Sequence, residues 1–262
     1  MVLVAQIISS MGCLENTFIY FPAKYPEGYW QIKNYPAIED CYFKAQDGVE
    51  LHGWFAGNSN SQTTLLWFHG NAGNITHRLD NLLGLVQLRI NVFIIDYRGY
   101  GRSEGCPSEM GLYCDAQAAY DYLVHTRQIP SRCIYLFGRS LGGAVAINLA
   151  LNNDCAGAIV ESSFTSLPDI GQNLYPFLST KLITKITRER YDSLAKISRI
   201  KIPLLFIHGD ADELIPIEHS RRLFEAANEP KEFYKVHGAA HNDLYLMGGK
   251  AYLNKIKAFV MQ

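Results

Sequence analysis

Six short, largely apolar runs restrict the fold more than any other feature of the chain: "TTLLWF" (63–68), "NVFIID" (91–96), "CIYLFG" (133–138), "GAIVES" (157–162), "PLLFIHG" (203–209) and "KEFYKV" (231–236). A strand that alternates apolar and polar residues has one face in water, whereas a strand apolar throughout must be covered on both faces. Between most of the runs lie helical patterns; Ser108, read as an N-cap, leads into "EMGLYCDAQAAYDYLV". Strand and helix in alternation build a parallel sheet with crossover helices. Upstream, "CYFKA" and "VELHGWFA" flank Gln46-Asp47-Gly48, a hairpin signature, so the sheet is expected to begin antiparallel. The fold class is therefore α/β: a mostly parallel sheet with an antiparallel N-terminal hairpin and helices on both faces.

At 262 residues and 48% hydrophobic, the chain can bury one large core, and a single main domain over 38–262 is expected. The 24 basic residues nearly balance the 25 acidic ones, without a block of like charge, so neither nucleic acid nor an anionic membrane is an implied partner. Cys13, Cys41, Cys106, Cys114, Cys133 and Cys155 form no C-x-x-C pair. They read as buried free thiols in a reducing compartment, which points to a cytoplasmic location. Residues 1–37 form an N-terminal extension whose apolar start is broken by Gln6, Ser9 and Ser10, well short of the roughly 20 residues of a membrane span. Membrane association through this extension is the alternative. Residues 163–199 are too long for one crossover and carry the apolar cluster Leu174, Tyr175, Pro176, Phe177 and Leu178. This interval is expected to be a small lid insert, with a pair of ordinary surface helices as the competing reading.

Between the run at 133–138 and a small-residue helical pattern stands Gly138-Arg139-Ser140-Leu141-Gly142, a G-x-S-x-G match. In that motif a serine sits on a strained strand-to-helix turn that lifts its oxygen above the sheet. A serine hydroxyl is a poor nucleophile at neutral pH, so the motif requires a histidine base and a carboxylate to orient it. Functional groups on such sheets gather at the carboxyl ends of strands, which selects His69, His208, His237 and His241. His69 and His208 each precede a glycine at a strand end, where a ring packs beneath a site. In "VHGAAHNDLY", His237 continues the strand, whereas His241 ends a Gly-Ala-Ala loop able to carry it toward Ser140. His241 is therefore preferred, with His237 as its competitor. The carboxylate belongs on "FIHGDADELIP", which offers Asp210, Asp212 and Glu213. The order Ser140, Asp212, His241 satisfies the connectivity of the fold, and Asp210 remains the rival. The turn His69-Gly70-Asn71, at the end of the first parallel strand, would supply one oxyanion donor, and Leu141, after the nucleophile, the second.

Together these segments resemble the α/β-hydrolase superfamily. The likeness is closest to α/β-hydrolase-domain proteins that carry H-G-N-A-G-N, D-Y-R-G-Y-G-x-S-x-G, G-x-S-x-G-G, H-G-x-x-D-x-x-x-P and G-x-x-H-N-D. The matches run from His69 to Asn74, Asp96 to Gly105, Gly138 to Gly143, His208 to Pro216 and Gly238 to Asp243. The resemblance implies an α/β-hydrolase fold with Ser140 as nucleophile, Asp212 as acid, His241 as base, and the N–H groups of Asn71 and Leu141 as the oxyanion hole. It also implies cleavage of an ester or thioester through an acyl-enzyme, since the branch includes acyl-protein thioesterase-like members. The substrate would be a small molecule or an acylated protein. A peptidase-like enzyme and a catalytically silent binding scaffold are the alternatives. "GYGRSEG" misses the dinucleotide fingerprint by one residue, and no H-E-x-x-H, zinc spacing or phosphate loop is present, so no cofactor and no metal are expected.

Overall fold

The computed structural model describes residues 19–35, 37–58, 60–174 and 188–261. Each of the six apolar runs forms a strand. With the hairpin they give β1 (Ile38–Lys44), β2 (Glu50–Ala56), β3 (Thr64–Phe68), β4 (Asn91–Asp96), β5 (Ile134–Arg139), β6 (Gly157–Glu161), β7 (Leu204–Gly209) and β8 (Lys231–Val236). They lie in the order β1-β2-β4-β3-β5-β6-β7-β8. β2 is antiparallel to both β1 and β4, and every pairing from β4 to β8 is parallel. β3 is flanked by β4 on one side and β5 on the other, so successive crossovers depart in opposite directions and leave a crevice at its carboxyl end.

The apolar runs follow from burial on two faces. Leu65 and Trp67 of β3, with Val92 and Ile94 of β4, enter a core shared with α1 (Leu79–Val86). Leu66, Phe68, Phe93 and Ile95 enter the opposite core, shared with α2 (Glu109–Asp121) and α3 (Leu141–Ala150). All eight strand side chains are fully buried, and each contributes roughly 1.5–3 kcal/mol of transfer free energy. The Ser108 hydroxyl accepts the Gly111 N–H at 3.1 Å, capping α2 as its sequence predicts. Between β6 and β7 lie α4 (Leu167–Leu174) and the single turn α5 (Leu194–Ile197); Tyr175, Pro176, Phe177 and Leu178 fall outside the described residues. α6 (Glu218–Ala226) joins β7 to β8, and α7 (Leu244–Val260), broken at Gly249, closes the core that holds α1.

Two further features bear on the site. The segment from residue 19 to 25 runs along the carboxyl end of the sheet: Ala23 N–H donates to Gly73, Gly101 N–H donates to Ala23, and buried Tyr20 shares a 2.6 Å hydrogen bond with Tyr191. Among the described residues no helix is long and apolar enough to cross a membrane. The free-thiol reading is corrected at Cys106, which is disulfide-bonded, while Cys41, Cys114, Cys133 and Cys155 are free. Disulfides persist in oxidising compartments, so the cysteine pattern does not carry the expectation of a reducing one.

Candidate active site

One residue separates the last residue of β5 from the first of α3, so Ser140 must turn the chain by itself. It does so at φ 54°, ψ −118°, a conformation that costs a non-glycine residue strain and persists only where its surroundings hold it. The flanking glycines make room for the turn. A Cβ on Gly138 would lie 2.2 Å from the carbonyl oxygen of Gly142, and one on Gly142 would lie 2.0 Å from that of Phe68. Both obstacles are backbone and cannot swing aside.

The loops after β7 and β8 bring two side chains to this turn. His241 Nε2 lies 3.1 Å from Ser140 Oγ, and His241 Nδ1 lies 2.7 Å from Asp212 Oδ2. The other oxygen of Asp212 accepts the N–H groups of Leu214 and Ile215 at 3.1 and 2.8 Å. Burial opposes the charge on Asp212, but hydrogen bonds from His208, His241 and the backbone outweigh it and hold the carboxyl well below the usual carboxylate range. His208 is fully buried beneath, with Nε2 facing Ile215 O at 2.8 Å and Asp212 at 3.2 Å, both acceptors, and Nδ1 2.6 Å from Ser220 Oγ. The rival residues pair with each other. Asp210 accepts from the Gly238 N–H at 2.7 Å and lies 2.9 Å from Nδ1 of His237, whose side chain is 78% exposed. Glu213 is exposed.

The turn after β3 approaches from the opposite side. A Cβ on Gly70 would touch that of Ser140 at 3.4 Å. The Asn71 side chain is held at both ends: its amide donates to Ile19 O at 2.6 Å, and its oxygen accepts the Tyr100 hydroxyl at 2.9 Å. His69 is wholly buried, and burial pushes its pKa down to about 4, so the ring is neutral near pH 7. Its Nδ1 lies 2.7 Å from the carbonyl of Gly70, which can only accept, so the single ring proton resides there. The Gly70 carbonyl and the Asn71 N–H share one planar peptide and point in opposite directions, so His69 also fixes where that N–H aims. Leu141 opens α3, and no earlier turn accepts its N–H.

Ser140, His241 and Asp212 are thus joined in series, with Leu141 next to Ser140 in the chain and the turn that carries Asn71 packed against Ser140. Sequence reasoning placed His208 beneath the site, where it lies, but missed Ser163, whose hydroxyl donates to Ser140 O at 2.8 Å, and the buried pair Arg139 and Glu161. The signal for that pair was a charge ending a wholly apolar strand, "CIYLFGR" and "GAIVE". Among the described residues no group of His, Cys, Asp or Glu is arranged to hold a metal ion.

The chain is similar in sequence and in fold to known proteins. The family described as serine aminopeptidase, S33, matches residues 59–194. The α/β-hydrolase domain-containing protein WAV2 of Arabidopsis thaliana is 40% identical over 232 residues, covering 82% of this chain and 75% of its own. The protein bem46 of Schizosaccharomyces pombe is 35% identical over 263 residues, covering 95% and 86%. Among solved structures, the esterase Pf2001 of Pyrococcus furiosus superposes with a TM-score of 0.75 at 21% identity, over 92% of this chain and 98% of its own, and so shares its fold. On the family match and the identity to these relatives, the chain belongs to the α/β-hydrolase superfamily.

Proposed function

We propose that this α/β-hydrolase is a serine hydrolase that cleaves an ester or thioester bond through an acyl-enzyme intermediate. The observation that carries the reading is the continuous chain from Ser140 Oγ through His241 to Asp212, at 3.1 and 2.7 Å, on a strained turn. In the first half-reaction His241 Nε2 takes the Ser140 proton as Oγ attacks the substrate carbonyl. The oxygen that becomes negative is received by the N–H groups of Asn71 and Leu141, where one such donor is worth about 2.7–4 kcal/mol. The imidazolium, steadied by ionised Asp212, then protonates the leaving oxygen or sulfur. In the second half-reaction His241 deprotonates a water that attacks the acyl carbonyl, and the proton returns to Oγ as the acid departs.

The substrate would be a small molecule or an acylated protein, with residues 163–199 as the lid over its acyl group. No cofactor is needed, because every proton and electron pair stays among serine, histidine, water and substrate. The description of the matching family as serine aminopeptidase favours a second reading, in which the bond cleaved is an aminoacyl amide. The two readings are separated by turnover of aryl esters, aryl thioesters and aminoacyl arylamides by the wild type and Ser140→Ala. We expect ester and thioester turnover that rises with acyl length, about 0.8 kcal/mol or about fourfold in kcat/KM per buried methylene, and that disappears in Ser140→Ala. Faster arylamide cleavage would favour the peptidase, a flat length profile would remove the lid from acyl recognition, and no turnover of any class would leave a binding scaffold.

A further inference from the structure

The base of this site is held from behind by a charge that the reaction above does not use. Arg139, the first variable residue of G-x-S-x-G and the last of β5, is only 6% exposed. Its Nη2 donates to the backbone carbonyl of His241 at 2.6 Å and reaches the side-chain oxygen of Asn242 at 3.2 Å. Its Nε lies 3.4 Å from a carboxylate oxygen of Glu161, the last residue of the adjacent β6, which is 1% exposed. The second carboxylate oxygen accepts the hydroxyl of fully buried Tyr252 on α7 at 2.6 Å. The main-chain oxygen of Glu161 accepts the Ser140 N–H at 2.8 Å. The nucleophile's strand, its neighbour, the base's loop and the final helix therefore meet at one buried ion pair.

That loop needs such a hold. It leaves β8, which among the described residues pairs only with β7 at the edge of the sheet, and it passes through Gly238 at φ 69° before reaching His241. Other backbone ties of the loop fall on its neighbouring residues, Gly238 N–H to Asp210, Ala211 N–H to Ala239 O and Ala240 N–H to Asp243, whereas Arg139 takes the carbonyl of His241 itself. A buried ion pair is a costly way merely to fill space, since well-packed apolar side chains of similar volume often do as well or better. An apolar residue, however, cannot donate in a fixed direction to a carbonyl, and an ammonium lacks the planar fork that serves His241, Asn242 and Glu161 together.

We propose that Arg139 is a positioning residue for the base: with Glu161 and Tyr252 as its support, it sets the His241 main chain so that the ring meets Ser140. The inference rests on the triad reading above and extends it to the first variable position of the serine motif. The Arg139 guanidinium bonds the main chain of His241 and not the side chains of Ser140 or His241; it acts through the place of His241.

The test compares wild type, Arg139→Gly, Arg139→Lys, Tyr252→Phe and Ser140→Ala for ester turnover and for the rate of inactivation by a fluorophosphonate, with folding followed by circular dichroism. A displacement of about 1 Å at a reacting group can cost on the order of a hundredfold, so Arg139→Gly is expected to lose about that much in kcat and in inactivation rate, with KM nearly unchanged. Ethylguanidinium at sub-denaturing concentration should restore part of the loss, urea should not, and Arg139→Lys should fall between glycine and wild type. A folded Arg139→Gly with wild-type kcat, or with a loss confined to KM, would overturn the inference while leaving the triad intact. Should Arg139→Gly fail to fold, Tyr252→Phe decides, because it removes one hydroxyl and keeps both charges. A several-fold fall in its kcat at constant KM supports the positioning role, and wild-type kcat overturns it. A wild-type chain that neither turns over esters nor reacts at Ser140 would overturn the triad and the positioning role together.

Discussion

Two aspartates separated by one alanine take different partners. Asp210 belongs to an exposed pair with His237, whereas Asp212 is buried against His241 and His208. An amide at the acid position keeps the shape but no longer stabilises the imidazolium, an exchange that costs about 10⁴ in kcat in the serine-protease case. Steady-state kinetics should therefore give Asp212→Asn a kcat at least about a hundredfold below wild type, with Asp210→Asn within about tenfold; the reverse ranking would move the acid to Asp210. His69 makes a separate prediction about stability. Its folded pKa is lowered to about 4, against about 6.5 for an unfolded histidine. Between those values the unfolded chain binds more protons than the folded one, so the His69 contribution to stability falls as pH drops from about 6.5 to about 4 and is constant below. Urea unfolding at a series of pH values should show a shallower acid slope in His69→Asn than in wild type, and identical slopes would contradict a neutral buried ring.

The strand-turn-helix element at Ser140 depends on backbone contacts that glycine alone permits. In Gly142→Ala the new methyl would meet the Phe68 carbonyl at 2.0 Å, and β3 is pinned between β4 and β5. Overpacking of this kind typically costs about 1–3 kcal/mol, and the rigid backbone obstacle puts Gly142→Ala at the upper end. Gly84, within α1, has nothing nearer than 3.8 Å, so Gly84→Ala should stabilise by about 0.5–1 kcal/mol. Thermal melts that rank the two substitutions the other way would contradict this packing. Elements of this kind were legible in the sequence because each leaves a local mark: an apolar run marks a strand covered twice, Ser108 an N-cap, Gln46-Asp47-Gly48 a hairpin. The partners were less legible. Periodicity reports that Arg139 ends a buried strand, but not that Tyr252, 91 residues beyond Glu161, turns its hydroxyl back to that carboxylate. Chain order could favour Asp212, but the separate pairing of Asp210 with His237 emerges only when both loops are in place. Cys106 was misread because nothing in its neighbouring residues distinguishes a bonded cysteine from a free one.

At the scale of the whole molecule, parallel topology brings distant segments to one edge. β3, β5, β7 and β8 all point the same way, so the residues that follow them, Asn71, Ser140, Asp212 and His241, share the carboxyl end of the sheet although Ser140 and His241 are 101 positions apart. The segment from residue 19 to 25 reaches the same edge and holds Asn71 through Ile19 O. The central claim is that this convergence activates Ser140. It is tested most directly by treating the folded wild type and Ser140→Ala with a fluorophosphonate and mapping the adduct by peptide mass. The account predicts rapid, stoichiometric labelling of the peptide that contains Ser140 and none in Ser140→Ala. Equal labelling of the two proteins, or an adduct on another peptide, would contradict it.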